Sequence, residues 1–368
     1  MTEPRSIPDA EAGSYADSAP GPGVEPAPTR RSRRSRVVRR IVIALLAVVG
    51  ALSLVLVTAG VALALANEGT PSVAARGTGH DALWLGHAWV DGRKGQSDVD
   101  DIAVMLRPTG IHDLFVHAGP FRNDGTLDPA LRPRARWLIQ ALHIALPGVR
   151  VQAWLGAHPT PEEFHLNSAA SRAAVVSSVS EVLDDGFDGV HLDFEPLADG
   201  DEDLLALLRD THALTIQRRA VLSVSAVRGE PAPGVAACLT ALPGNLPIWS
   251  GAYLHRVALE VDQVAIMAYD SGMPTRATYG GYVRRSTEIA LDAVPASVTL
   301  FIGVPAYYDD TLYHRPDVET MPVALRGVRL ALGPDPVLRE FGVAIYVDFT
   351  ATAEDWTSYH ENWARIAT

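Results

Sequence analysis

Between Phe187 and Pro196 the chain reads Phe-Asp-Gly-Val-His-Leu-Asp-Phe-Glu-Pro, and from Gly189 onward apolar and polar residues alternate strictly. Side chains on a strand swap faces at each residue, so His191, Asp193 and Glu195 share one face while Val190, Leu192 and Phe194 share the other. Same-face neighbours are about 6.6–6.8 Å apart along a strand, near enough for two carboxylates to perturb each other's ionisation. One acid is then held protonated near neutral pH while the other stays charged, which is the condition for general acid catalysis.

That strand needs a scaffold that buries its apolar face and opens its polar one. Eight apolar runs follow one another: Ala82–Gly86, Leu114–Ala118, Val149–Leu155, Gly189–Glu195, Val221–Ala226, Gln263–Tyr269, Val298–Val304 and Val343–Phe349. Amphipathic stretches separate them, among them Arg134–Leu146, Ala169–Leu183, Glu202–Gln217, Trp249–Leu259 and Arg284–Leu291, with the seventh in either Val323–Leu332 or Pro336–Phe341. Strand–helix alternation of this length predicts one closed α/β barrel of eight parallel strands, a (β/α)8 fold. In such a barrel the site lies where strands end, and those positions are unusually polar here. They carry His87, Trp89, His117, Trp154, His158, His191, Asp193, Glu195, Tyr269, Asp270, Tyr307, Tyr346 and Asp348.

Ahead of the barrel the composition changes. Residues 1–40 carry a net charge of +3 against −15 for the remainder, and an acidic body argues against nucleic acid as a partner. Residues 1–29 are too poor in apolar side chains to offset chain entropy, so 1–40 reads as a disordered tail with a basic end. Seven arginines between Arg30 and Arg40 precede Ile41–Ala66, an uncharged run long enough to span a hydrocarbon core of about 30 Å. The positive-inside rule then predicts a single-pass anchor over 41–66, with the tail cytoplasmic, residues 67–79 as a linker and 80–368 as an extracellular barrel. Ala64-Leu65-Ala66 has the small-x-small form that signal peptidases accept, but the apolar run is longer than a secretory signal needs. The single Cys238 excludes an intrachain disulfide framework, and its long loop after the fifth strand suggests an inert thiol.

The fourth strand resembles that of the glycoside hydrolase family 18 (chitinase-like) barrels, Asp-x-x-Asp-x-Asp-x-Glu, at Asp188, His191, Asp193 and Glu195, with histidine in the second place. Met267-Ala268-Tyr269-Asp270 is similar to the family's Met-x-Tyr-Asp on the sixth strand, and Gly303-Val304-Pro305-Ala306-Tyr307 is a weaker echo on the seventh. The resemblance implies a retaining hydrolysis of β-linked N-acetylhexosamine glycans in which the substrate's own acetamido group takes part. It implies Glu195 as acid and base, Asp193 as the group that orients the acetamido, and Tyr269 and Asp270 as its further ligands. Asp188, His191 and Met267 complete the expected substrate-binding set, with Trp154, Tyr307 and Tyr346 as an aromatic floor. Tyr346 stands where the family usually has tryptophan. A protonated His191 would depress the Asp193 pKa, so the substitution predicts a shifted pH optimum or a changed function.

No cofactor and no metal is implied by the assisted mechanism. Two rival readings remain open: a metal-dependent hydrolase using the strand-end histidines, and a barrel that binds carbohydrate without cleaving it. The oligomeric state is not legible.

Overall fold

The computed structural model describes residues 30–160, 162–227, 229, 248–335 and 337–364, with side chains from Val37 onward. The expected tail over 1–29 and Cys238 lie outside the described residues. The chain divides into two units, one ending at Leu52 and one starting at Ser53. The described part of the first is residues 30–52 of helix α1 (Arg30–Ala66). Its 30 residues from Val37 to Ala66 are long and apolar enough to cross a membrane, reaching about 45 Å at a rise of 1.5 Å per residue.

The second unit contains a closed barrel of eight parallel strands in sequence order. These are β1 (Asp81–Leu85), β2 (Ile111–Pro120), β3 (Arg150–Ala157), β4 (Gly189–Phe194), β5 (Val221–Ala226), β6 (Gln263–Met267), β7 (Thr299–Pro305) and β8 (Phe341–Tyr346). Around them run α2 (Gln96–Leu106), α3 (Ala135–Ala145), α4 (Ala169–Asp184), α5 (Glu202–Arg218), α6 (Gly251–Ala258), α7 (Arg276–Ala293), α8 (Met321–Leu332) and α9 (Ala353–Tyr359). Helix α7 begins well before the expected Arg284, because Thr275 and Thr278 cap each other's backbone at its start. The low helix propensity of Gly280 and Gly281 conceals that start in the sequence. For the seventh helix the first of the two alternatives holds, with Pro322 in the first turn of α8.

Strand alternation sorts the side chains. Outward residues such as Leu83, Val151, Val190, Leu192, Val264 and Ile302 join the apolar layer shared with the helices, whereas Ala82, Trp84, Phe115, Ala265, Phe301 and Ala344 fill the barrel interior. Below that interior layer, Gln152 donates to Asp113 at 2.7 Å and to Gln263 at 2.8 Å, so its amide nitrogen links the buried polar groups there. Pairing of β1 with β8 closes the barrel, and Gly342 is required at that seam because a Cβ there would overlap the His80 carbonyl. Asp81 locks the closure by accepting from Val343 N at 2.8 Å, Tyr359 Oη at 2.6 Å and Trp363 Nε1 at 2.9 Å.

The stretch expected as a linker is docked on the barrel. Ala75 and Leu63 are buried, and a Cβ on Gly281 would overlap the Leu63 carbonyl, so α7 admits the end of α1 only through a glycine. Three arginines then take up carbonyls of the segment: Arg284 that of Ala66 at 2.9 Å, Arg326 those of Asn67 and Gly69 at 2.8 and 2.7 Å, and Arg329 those of Ser72 and Ala75 at 3.0 and 3.1 Å. The Ala66 carbonyl, at the C-terminus of α1, has no partner within the helix, and the Arg284 guanidinium supplies one. A fragment starting at residue 78 is therefore expected to melt about 5 °C or more below one starting at residue 53, both in mild detergent, from about 2 kcal/mol of lost packing and hydrogen bonding. Gly281→Ala should lower the melting temperature of the longer fragment and leave the shorter one unchanged; equal effects on both would show that the segment does not dock.

Candidate active site

Strand β4 aims His191 and Asp193 into the barrel, one above the other. His191 is completely buried, its ring stacked on Phe115 at 4.0 Å and edge-on to Trp84 at 5.5 Å. Its Nδ1 lies 2.8 Å from Ser223 Oγ and its Nε2 2.9 Å from Ser225 Oγ, both on β5. Burial pushes the imidazole pKa down to about 3, so it is neutral at physiological pH. Above it, Asp193 accepts from Trp154 Nε1 at 2.8 Å. Burial raises the Asp193 pKa, while the hydroxyl of Ser225 and the indole of Trp154 counter that rise. The other carboxylate oxygen, Oδ1, is buried without a hydrogen bond of full geometry. We assign His191 as the Nε2–H tautomer, which lets Ser223 donate to Nδ1 while Nε2–H donates to Ser225 and frees the Ser225 hydroxyl to point at Asp193. The expected effect of a protonated His191 on Asp193 is thus corrected: in this dry layer the ring carries no charge.

Glu195 follows the end of β4. Its N–H donates to the Ala157 carbonyl at 3.1 Å, and its own carbonyl accepts from His158 Nδ1 at 3.0 Å. The residue lines a cavity of about 30 Å³ with Val227, Met267, Tyr269 and Asp270. Tyr269 stacks on Tyr346 at 5.1 Å, and Tyr307 meets both rings edge-on at 5.9 and 5.5 Å. Trp154 lies edge-on to Tyr346 at 6.0 Å. Burial, then the nearby Tyr346, Asp193, Glu195 and Asp270, hold the Tyr269 phenol well above its ordinary pKa; burial and the Asp193 carboxylate push Tyr346 up to about 12. Both phenols therefore remain O–H donors at any working pH. Tyr307 donates to Asp270 Oδ1 at 2.6 Å, and Asp270 sits in the left-handed region at φ 53°. That conformation costs energy for a residue with a Cβ, and aspartate is among the few that adopt it.

The mouth thus brings together Trp154, Asp193, Glu195, Met267, Tyr269, Asp270, Tyr307 and Tyr346. Two expected binding residues are elsewhere. Asp188 precedes β4 at the opposite end of the barrel, where it accepts from Val151 N at 2.7 Å and His143 Nε2 at 2.8 Å and ties α3 to the sheet. His191 lies beneath the site, shielded from any substrate. Trp84 belongs to the barrel interior, and Trp89 donates to Asp348 at 2.7 Å.

The strand-end histidines do not converge: His87 and His117 face each other at 3.2 Å, His158 holds the Glu195 carbonyl and His191 sits between serines. Among the described residues, no three His, Cys, Asp or Glu side chains are grouped to hold a metal ion. Ser223 and Ser225 have no place in the expected site. Their signal is present in β5, where they alternate with Leu222 and Val224, but recognising it requires the register that sets Ser223 beside His191.

No protein-family model matches the chain, and no curated protein does. Solved structures do match in fold. A chitinase from Chromobacterium violaceum aligns with 77% of this chain and 98% of its own at 13% identity and TM-score 0.53. The spore cortex-lytic enzyme SleL of Bacillus megaterium aligns with 79% of this chain and 76% of its own at 15% identity and TM-score 0.52. The Group IV chitinase of Ostrinia furnacalis aligns with 62% of this chain and 66% of its own at 19% identity and TM-score 0.44. The second unit therefore shares the (β/α)8 fold of the Chromobacterium and Bacillus enzymes.

The neutrality of His191 has a consequence for stability. In the unfolded chain a histidine takes up a proton below about pH 6.5, but in the barrel this ring stays neutral down to about pH 3. Its contribution is thus present above pH 6.5 and is lost as pH falls toward 3, by about 1.4 kcal/mol per unit. The stability deficit of His191→Gln relative to wild type, read from urea unfolding, should shrink by about 2–3 kcal/mol between pH 7 and pH 4.5. A deficit that does not change with pH would mean that His191 is not held neutral.

Proposed function

We propose that the barrel is a glycosidase acting on β-linked N-acetylhexosamine polymers, with Glu195 as proton donor and then base. The observation that carries this reading is the Asp193 carboxylate, held by Trp154 through Oδ2 and buried with Oδ1 lacking a full hydrogen bond, two residues before Glu195. A carboxylate so placed accepts the N–H of a sugar's 2-acetamido group, turning the acetamido oxygen toward the anomeric carbon. As Glu195 protonates the glycosidic oxygen, the bond from that oxygen to the anomeric carbon breaks and the rest of the glycan leaves as an alcohol, while the acetamido oxygen attacks the anomeric carbon. The cyclic cation so formed is stabilised by the negative charge of Asp193 in a site with little water. Glu195, now ionised, takes a proton from the water that opens the ring. Tyr269 and Asp270 hold the acetamido and the sugar hydroxyls, and Tyr346, stacked on Tyr269, forms the floor with Trp154 and Tyr307.

The anchor at 41–66 places this chemistry on the outer face of the cell membrane, with the arginines of 30–40 inside. Chitin fragments and the glycan strands of a cell wall both carry the acetamido group that the mechanism needs.

Purified full-length protein in detergent is expected to cleave aryl chito-oligosides or peptidoglycan fragments with no loss on adding a chelator. Glu195→Gln should lower kcat by about 10²–10⁴. Chelator-sensitive cleavage would favour a metal-dependent hydrolase, and sugar binding without turnover would favour a barrel that only binds.

A further inference from the structure

Behind Asp270 lies a buried cluster that the proposed mechanism does not use. His314 sits in the loop from β7 to α8, completely buried, where the Thr311 hydroxyl accepts from its backbone N–H at 2.9 Å and turns the ring inward. Its Nδ1 is 3.6 Å from Asp270 Oδ1 and 3.4 Å from Glu319 Oε2. Tyr307, whose hydroxyl donates to the same Asp270 oxygen, stacks on the imidazole at 4.0 Å and fixes its plane. Glu319 is also buried, and it accepts from Ser271 N at 3.0 Å, Ser271 Oγ at 2.6 Å and Gly272 N at 3.1 Å. The backbone just after Asp270 is therefore held by Glu319, and the Asp270 carboxylate by Tyr307, with the His314 imidazole set beside it.

Only acceptors face Nδ1, so that nitrogen carries the proton. Neither distance is that of a well-formed hydrogen bond, and neither ring nitrogen has one. A buried imidazole so poorly satisfied costs free energy, and here it is lodged between two carboxylates, one of which opens on the candidate site. Contacts of this kind tighten when a substrate closes a site.

We propose that His314 is a positioning residue for glycan binding, wedged between Asp270 and Glu319 so that the Asp270 carboxylate is held toward the hydroxyls of the N-acetylhexosamine unit beside Tyr269. The proposal rests on the glycosidase reading and adds to it a residue that touches no sugar. Glu319 fixes where the imidazole sits, the imidazole fixes where Asp270 points, and the unusual backbone of Asp270 is kept by the same contacts.

A double-mutant cycle on the full chain tests it. His314→Leu should raise KM for a chito-oligoside about tenfold with kcat changed less than threefold, and Asp270→Asn should do the same. The double variant should be no worse than Asp270→Asn, because the imidazole acts through that carboxylate. His314→Gln, which restores an N–H, should recover most of the loss and carries the cycle if the leucine variant does not fold. Additive losses, or an unchanged KM in His314→Leu, would overturn the proposal. If the wild-type chain cleaves nothing, the glycosidase reading fails, and the same cycle is read in the affinity for the N-acetylglucosamine trisaccharide. Coupling there would sustain the positioning role, whereas additivity or no binding would end it.

Discussion

A closed barrel of parallel strands leaves no wet interior, so every polar side chain that points inward must find a partner within the barrel or stand at its mouth. That constraint orders the molecule. Asp113, Gln152 and Gln263 are joined through the Gln152 amide nitrogen in the lowest layer, and aromatic and small residues fill the next. His191 is admitted to that dry layer because two serines of the adjacent strand take both its nitrogens. Above it, Asp193 keeps one buried carboxylate oxygen, Oδ1, without a full hydrogen bond.

This arrangement gives Asp193 a foundation without a second charge. A carboxylate below it would share or compete for a proton, whereas a neutral imidazole between hydroxyls orients Ser225 and leaves the ionisation of Asp193 to its own burial and hydrogen bonds. Around it stand phenols that remain protonated, so the mouth sets hydroxyl donors beside negative charge. The aromatic rings meet one another edge-on or stacked, which fixes their planes before any ligand arrives.

Much of this was legible in the residues. Period-two alternation in Gly189–Glu195 determines which side chains share a face, and eight apolar runs determine the barrel, because both depend on local pattern. What failed was whatever depends on depth or on distant partners. Asp188 matches the motif by its spacing, yet it precedes the strand and so belongs to the other end of the barrel. The charge of His191 could not be judged without the serines of β5 and the stacked Phe115. The segment 67–79 has a linker's composition, but its backbone carbonyls are taken up by arginines more than two hundred residues away. His314 follows Asp270 by a whole strand–helix unit and carries no motif, so only the folded loop reveals that they meet.

The central claim is that the Asp193 carboxylate directs a neighbouring acetamido group at the anomeric carbon, and the stereochemistry of the first-formed product tests it most directly. Proton NMR of the anomeric region during cleavage of a chito-oligosaccharide should show the β-anomer accumulating first and mutarotating afterwards, the result of two successive inversions. Initial appearance of the α-anomer would mean direct attack by water and would contradict the account.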